Sequence, residues 1–144
     1  FTIQGTVSGM SNARALSAGA WDGDGDPDLA VGNSSANTVA VFRNDGSGEF
    51  LLLQTIDSQT GVAALVSGDW DGDGDLDLAV ANFSSNSVAV LRNGGIGNFS
   101  ALSGVAGQIG VSALAAGDFD GDGFLDLAAA DNGSSSVHIL TNQP

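Results

Sequence analysis

Three loops in this chain gather carboxylates at a spacing suited to holding a hard cation. They read Ala20-Trp-Asp-Gly-Asp-Gly-Asp-Pro-Asp28, Asp69-Trp-Asp-Gly-Asp-Gly-Asp-Leu-Asp77 and Asp118-Phe-Asp-Gly-Asp-Gly-Phe-Leu-Asp126, and their first positions, 20, 69 and 118, lie 49 residues apart. Calcium takes six to eight oxygens at flexible geometry, commonly from carboxylates at alternate positions of a tight loop and from a backbone carbonyl at position 7. The second loop offers Asp69, Asp71, Asp73 and Asp77 with the carbonyl of Asp75. The third offers Asp118, Asp120, Asp122 and Asp126 with the carbonyl of Phe124. In the first loop Ala20 replaces the leading aspartate, leaving Asp22, Asp24, Asp28 and the Asp26 carbonyl, so two strong calcium sites and one weaker site are expected. Glycines at positions 4 and 6 permit the positive φ values that turn these oxygens inward. Magnesium suits the loops less well, because it demands octahedral geometry and keeps its waters.

Two other readings compete. An EF-hand begins with the same Asp-x-Asp-x-Asp-Gly pattern but requires a bidentate Glu at position 12 between two helices. Here position 12 is Val31, Val80 and Ala129, and the flanks read as strands. Simple solvated turns also favour Asp and Gly. Three copies that each pack four or five like charges into nine residues would repel without a cation.

The elements that position the loops follow from the same period. Phe1 aligns with Phe50 and Phe99, Asn44 with Asn93 and Asn142, and Val39-Ala-Val41 with Val88-Ala-Val90 and Val137-His-Ile139. Within the second unit, short alternating or apolar runs bounded by Gly, Asn, Ser and Asp predict strands over Phe50–Ile56, 63–68, 76–81 and 87–92, with the acidic loop joining the second to the third. Four strands in about 49 residues is the size of one propeller blade. The expected fold is all-β: one repeat domain over residues 1–144, with units 1–49, 50–98 and 99–144, each an antiparallel four-stranded blade. In this phase Phe1–Val7 is the outermost strand of a preceding blade, and the third blade lacks its own fourth strand. An unpaired edge is a template for another chain. A homodimer closing a six-bladed ring with no exposed edge is therefore expected.

Composition narrows the function classes. Of the 17 acidic residues in this chain of net charge −14, thirteen lie in the three loops, so the acidity belongs to sites rather than to a face. With no lysine and only Arg14, Arg43 and Arg92, the chain has no footprint for phosphate backbones or anionic lipid, and nucleic acid and membrane insertion are not expected. Cysteine and tyrosine are absent, and there is one histidine, His138, and one glutamate, Glu49. No nucleophile and base stand out, and catalysis is not expected. Outside the loops only Asp45, Glu49, Asp57 and Asp131 are spare carboxylates for a calcium-dependent hydrolase or lyase, the alternative enzymatic reading. The start at Phe1 reads as a processed or excised segment.

The run Gly68-Asp-Trp-Asp-Gly-Asp-Gly-Asp-Leu-Asp-Leu-Ala-Val-Ala-Asn82 resembles the FG-GAP or VCBS repeat of integrin α subunits and many bacterial surface and secreted proteins. The resemblance extends over three consecutive units. It implies structural calcium in the loops, ligands on the opposite face, and a secreted or cell-surface adhesion or recognition module. Ala20 and the count of three units depart from the family pattern.

Trp21, Trp70 and Phe119 occupy position 2 of the loops, where packing between blades is the expected role. Arg43 and Arg92 fall at equivalent strand ends on the loop face, where solvated arginine is the default. The Ser/Asn connections 33–38, 82–87 and 131–136 should lie on the opposite face, together with 9–13, 58–62 and 107–111. Such adaptable polar loops suit a glycan or protein ligand. A bare self-assembling scaffold is the remaining alternative.

Overall fold

The computed structural model describes residue 2 and residues 5–143. Eleven strands form among them. β1 (Ala13–Gly19), β2 (Asp28–Asn33), β3 (Thr38–Asn44) and β4 (Phe50–Ile56) make the first antiparallel sheet, and β5 (Val62–Gly68), β6 (Asp77–Asn82), β7 (Ser87–Asn93) and β8 (Phe99–Ala106) the second. β9 (Val111–Gly117), β10 (Asp126–Asp131) and β11 (Ser136–Leu140) make a third, three-stranded sheet. Each sheet is a meander in which sequence neighbours pair. No α-helix occurs among the described residues, and a single 3-10 turn covers Phe83–Ser85.

The sheets stack through their first strands, since β5 lies against both β1 and β9. The alternation of each strand explains the stacking. β6 is buried at every position because apolar Leu78, Ala79, Val80 and Ala81 face a neighbouring sheet on either side. β4 and β8, at the outer edges, are largely exposed. Between the first two sheets lie Trp21, Val39, Val41, Val62, Leu78, Val80, Leu91 and Phe99. The second gap is filled by Trp70 with the smaller Ala79, Ala81 and Ala129 around Val88, Val111 and Leu127.

The bonds that prolong the pairing of the first two strands repeat within every sheet, and the contacts between sheets repeat with them. Phe83 N–H donates to the Gly61 carbonyl at 3.2 Å, Asn132 N–H to Gly110 at 3.3 Å, and Ser34 N–H to Asn12 at 3.1 Å. Asn37 and Asn86 hold left-handed turns (φ 58° and 54°) and accept the N–H of Gly61 and Gly110 through Oδ1. Asn tolerates this backbone region better than most residues.

The expected strand over Phe1–Val7 falls partly on Phe1, Ile3 and Gln4, outside the described residues, and its remainder, 5–7, carries no strand. Val7 and Met10 instead pack on Val31, Ala40 and Phe42 at the free face of the first sheet. In the third sheet Val137 and Ile139 are 63% and 49% exposed, so they do not serve as core like Val39 and Val41. The reason is stacking, because Val39 and Val41 face the second sheet, whereas among the described residues no sheet lies against the matching face of the third.

Candidate metal centre

Each acidic loop joins the first strand of a sheet to the second and is folded by its own carboxylates. Asp71 Oδ1 accepts the N–H of Asp73 at 3.2 Å, and Asp73 Oδ1 that of Asp75 at 3.0 Å. The same two-residue steps run from Asp120 to Asp122 to Phe124 and from Asp22 to Asp24 to Asp26. The leading aspartate spans the loop: Asp69 accepts from Gly72 (2.7 Å) and Gly74 (3.0 Å), and Asp118 from Gly121 and Gly123. Gly72 and Gly74 have φ of 77° and 93°, which is what lets their N–H groups turn toward Asp69. Ala20 has no carboxylate to make this span.

The aspartate at position 9 has a second task. Asp77 Oδ2 accepts the N–H of Trp70 at 3.1 Å and Oδ1 that of Asn93 at 2.8 Å, so it ties the loop to the end of β7. Asp28 does this with Trp21 and Asn44, and Asp126 with Phe119 and Asn142. Their electrostatics differ. Burial between two sheets pushes the Asp77 carboxyl above its usual range, against the pull of its two N–H donors, and the charges of Asp71 and Asp73 add to the rise. At Asp126 the N–H groups of Asn142 and Phe119 prevail over desolvation and hold it below that range.

In two loops the carboxylates converge. One oxygen each from Asp69, Asp71 and Asp77 lie within 4.8 Å of one another, as do those of Asp118, Asp120 and Asp126. Among the described residues the first loop forms no such trio. A cation with metal–oxygen bonds of about 2.4 Å spans that separation, and each carboxylate oxygen keeps a lone pair beyond its N–H bond, so the donor sets fit a hard divalent ion. Asp73 and Asp122, at position 5, lie outside the trios. The side chains of Asp26 and Asp75 lean instead on Gly46 and Gly95 of the adjoining turns.

A cation does reach the second loop, but it belongs to the chain. Arg92 Nε lies 2.6 Å from Asp71 Oδ2 and Nη2 3.0 Å from Asp73 Oδ2, which replaces the solvated arginine expected there. The Asp73 carboxyl is held below its usual range by the Asp75 N–H and by Arg92. Arg43 stands 4.0 Å from Asp22. Asp120 has no arginine beside it, and desolvation together with the charges of Asp122, Asp126 and Asp118 raises it.

The spacing of these loops and the strands around them match the family model of the FG-GAP-like repeat over residues 21–80 and again over 69–129. The chain belongs to the FG-GAP-like repeat family. No curated protein matches the chain. Among solved structures, a protein from Lactobacillus plantarum is similar, with 16% identity and a TM-score of 0.48 over 98% of this chain. The chain spans 59% of that structure's length.

Outside its acidic loops, this FG-GAP-like repeat chain brings together a group that the linear sequence hides. His138 Nε2 lies 3.3 Å from Asp131 Oδ2, 3.1 Å from Ser136 Oγ and 3.4 Å from Ser134 Oγ. Asp131 and Ser136 are register partners at the end of the β10–β11 hairpin, and that pairing is the signal that brings His138 round. A serine–histidine–carboxylate relay places serine and carboxylate on opposite ring nitrogens. Here both approach Nε2.

Proposed function

We propose that this chain is a calcium-binding, non-enzymatic repeat module of a β-propeller, serving adhesion or ligand recognition at a cell surface or in secreted form, with calcium as part of its fold. The observation that carries the reading is the pair of carboxylate trios, Asp69/Asp71/Asp77 and Asp118/Asp120/Asp126. Bound there, calcium supplies the positive charge that offsets the like-charged loops. Asp77 and Asp126 transmit that order to β7 and to the segment after β11 through Asn93 and Asn142. The one-sided approach to His138 favours binding over turnover. At about 1 mM calcium each filled site of extracellular affinity adds about 0.5 to 1.5 kcal/mol of stability. Thermal unfolding in calcium against EGTA tests this: Asp69→Asn and Asp118→Asn should each remove part of the calcium-dependent rise, and a melting temperature indifferent to calcium would overturn it.

The uncovered edge of β11 supports pairing with a second copy. Beside it a cavity of about 100 Å³, lined by Trp70, Val90, Leu102, Val105 and Leu140, occupies the place that Phe99 takes against Trp21 one sheet earlier. The segment Phe1–Val7 is in phase with β4 and β8, and the Asn12 carbonyl accepts the same within-sheet bond as those of Gly61 and Gly110. A second copy's Phe1–Val7 therefore suits the missing strand position, and two copies would close a six-bladed ring. Native mass spectrometry should give the mass of two chains, and a monomer at micromolar concentration would contradict the pairing.

A further inference from the structure

The 49-residue period places Arg43, Arg92 and Thr141 at one position, the last but one residue of the strand-end segment facing each acidic loop. Three loops that look alike therefore meet three different neighbours. The first loop lacks its leading carboxylate and has an arginine at 4.0 Å. The second has its full set and an arginine in direct contact with two of its carboxylates. The third has its full set and a neutral threonine.

The geometry points to Arg92 as a built-in counter-cation that competes with calcium for the second loop, so that the third loop fills first. This inference rests on the calcium reading above. Asp71 is one of the three carboxylates of the second trio, and its Oδ2 faces Arg92 Nε. A calcium ion drawing Asp71 and Asp73 inward must take those oxygens from the guanidinium or share them with it, and in either case meets a like charge within a few ångströms. The arginine is half-exposed, so its swing into solvent is open and the exchange is reversible. In the calcium-free chain the same contact offsets the repulsion among the second loop's five aspartates, whereas the third loop's four have no arginine beside them. Arg92 thus makes the second loop less dependent on calcium and less avid for it. Thr141 leaves the third loop more dependent and more avid.

The test isolates one loop at a time with calcium as the probe. In an Asp118→Asn background, where the second loop is the remaining complete trio, Arg92→Thr should tighten calcium binding by about two- to fivefold, the range of an exposed ion pair. The same change should lower the unfolding temperature in EGTA. In an Asp69→Asn background, Thr141→Arg should weaken binding at the third loop by a similar factor and raise the unfolding temperature in EGTA. Unchanged or weaker calcium affinity in Arg92→Thr, in a variant whose circular dichroism matches the parent, would overturn the competition. Absence of calcium binding by the unaltered chain would instead overturn the calcium reading, and the two failures are distinguished by which protein shows them.

Discussion

Asn93 donates its side-chain Nδ2–H to the backbone carbonyl of Trp21 at 2.9 Å, bridging 72 residues of sequence and joining the turn of one repeat to the acidic loop of the repeat before it. Gly97 N–H donates to the same carbonyl at 2.8 Å. The contact recurs one repeat later, from Asn142 to the Trp70 carbonyl at 2.7 Å. Neighbouring sheets are therefore fastened at the rim that carries the loops, not through apolar packing alone. Loop order and sheet stacking become one property.

Removing that fastener should cost more where it is buried. Asn93 is fully buried, and Asn93→Ala leaves the Trp21 carbonyl with the Gly97 N–H as its one donor and strands the N–H of Gly95 that Asn93 Oδ1 accepts. A loss of about 1–3 kcal/mol is expected by urea unfolding. Asn44→Ala, whose Nδ2 donates to Pro27 and whose Oδ1 accepts from Gly46 and Gly48 within its own repeat at an exposed site, should cost less. Equal costs would mean that the inter-repeat bond adds nothing.

The aromatic at position 2 gives a second graded series. Trp21 is 1% exposed and meets Phe99 edge to face, ring centroids 5.7 Å apart, whereas Phe119 is 49% exposed. Trp21→Ala should destabilise by about 3–5 kcal/mol, and Phe119→Ala by less than about 1 kcal/mol. A reversed order in chemical denaturation would show that the third sheet is covered in solution.

Asp131 supplies a pH signature away from the acidic loops. The N–H and hydroxyl of Ser134, with the N–H groups of Ile109 and Gly133, hold its carboxyl below the ordinary value of 3.8. Its contribution is therefore present above the unfolded pKa and lost as pH falls through the lower folded value. Asn33 and Asn82 stand at its position in the other repeats, so Asp131→Asn should fold. The stability gap between parent and variant should narrow as pH drops from about 5 to 2. A gap constant over that window would remove Asp131 from the account.

The first loop offers a gain-of-function test. Ala20→Asp restores the leading carboxylate that spans the second and third loops through their glycine N–H groups. It should raise the number of calcium ions bound per chain, read by equilibrium dialysis. No change in stoichiometry would show that Ala20 is not what weakens the loop.

Much of this was legible in the sequence because the repeat states each feature more than once. β4 spans the expected Phe50–Ile56, and β7 runs one residue beyond the expected end at Arg92, because strand alternation and Asn/Gly turns speak plainly at that length. The convergence of Asp69, Asp71 and Asp77 followed from their spacing. Three things did not follow. The reach of Arg92 onto Asp71 depends on how the end of β7 sits over a loop about twenty residues earlier in the chain, which no local pattern encodes. The exposure of Val137 and Ile139 depends on what covers β11, although their alternation is the same as that of Val39 and Val41. The meeting of His138 with Asp131 depends on hairpin register.

Calcium titration of the chelator-stripped chain, followed by equilibrium dialysis, addresses the central claim most directly. Two ions per chain should bind at about 0.1 to 1 mM, falling to one in Asp118→Asn, with the first loop filling only at higher concentration. No saturable binding, or binding unaffected by loss of Asp118 and Asp69 together, would contradict calcium as part of this fold.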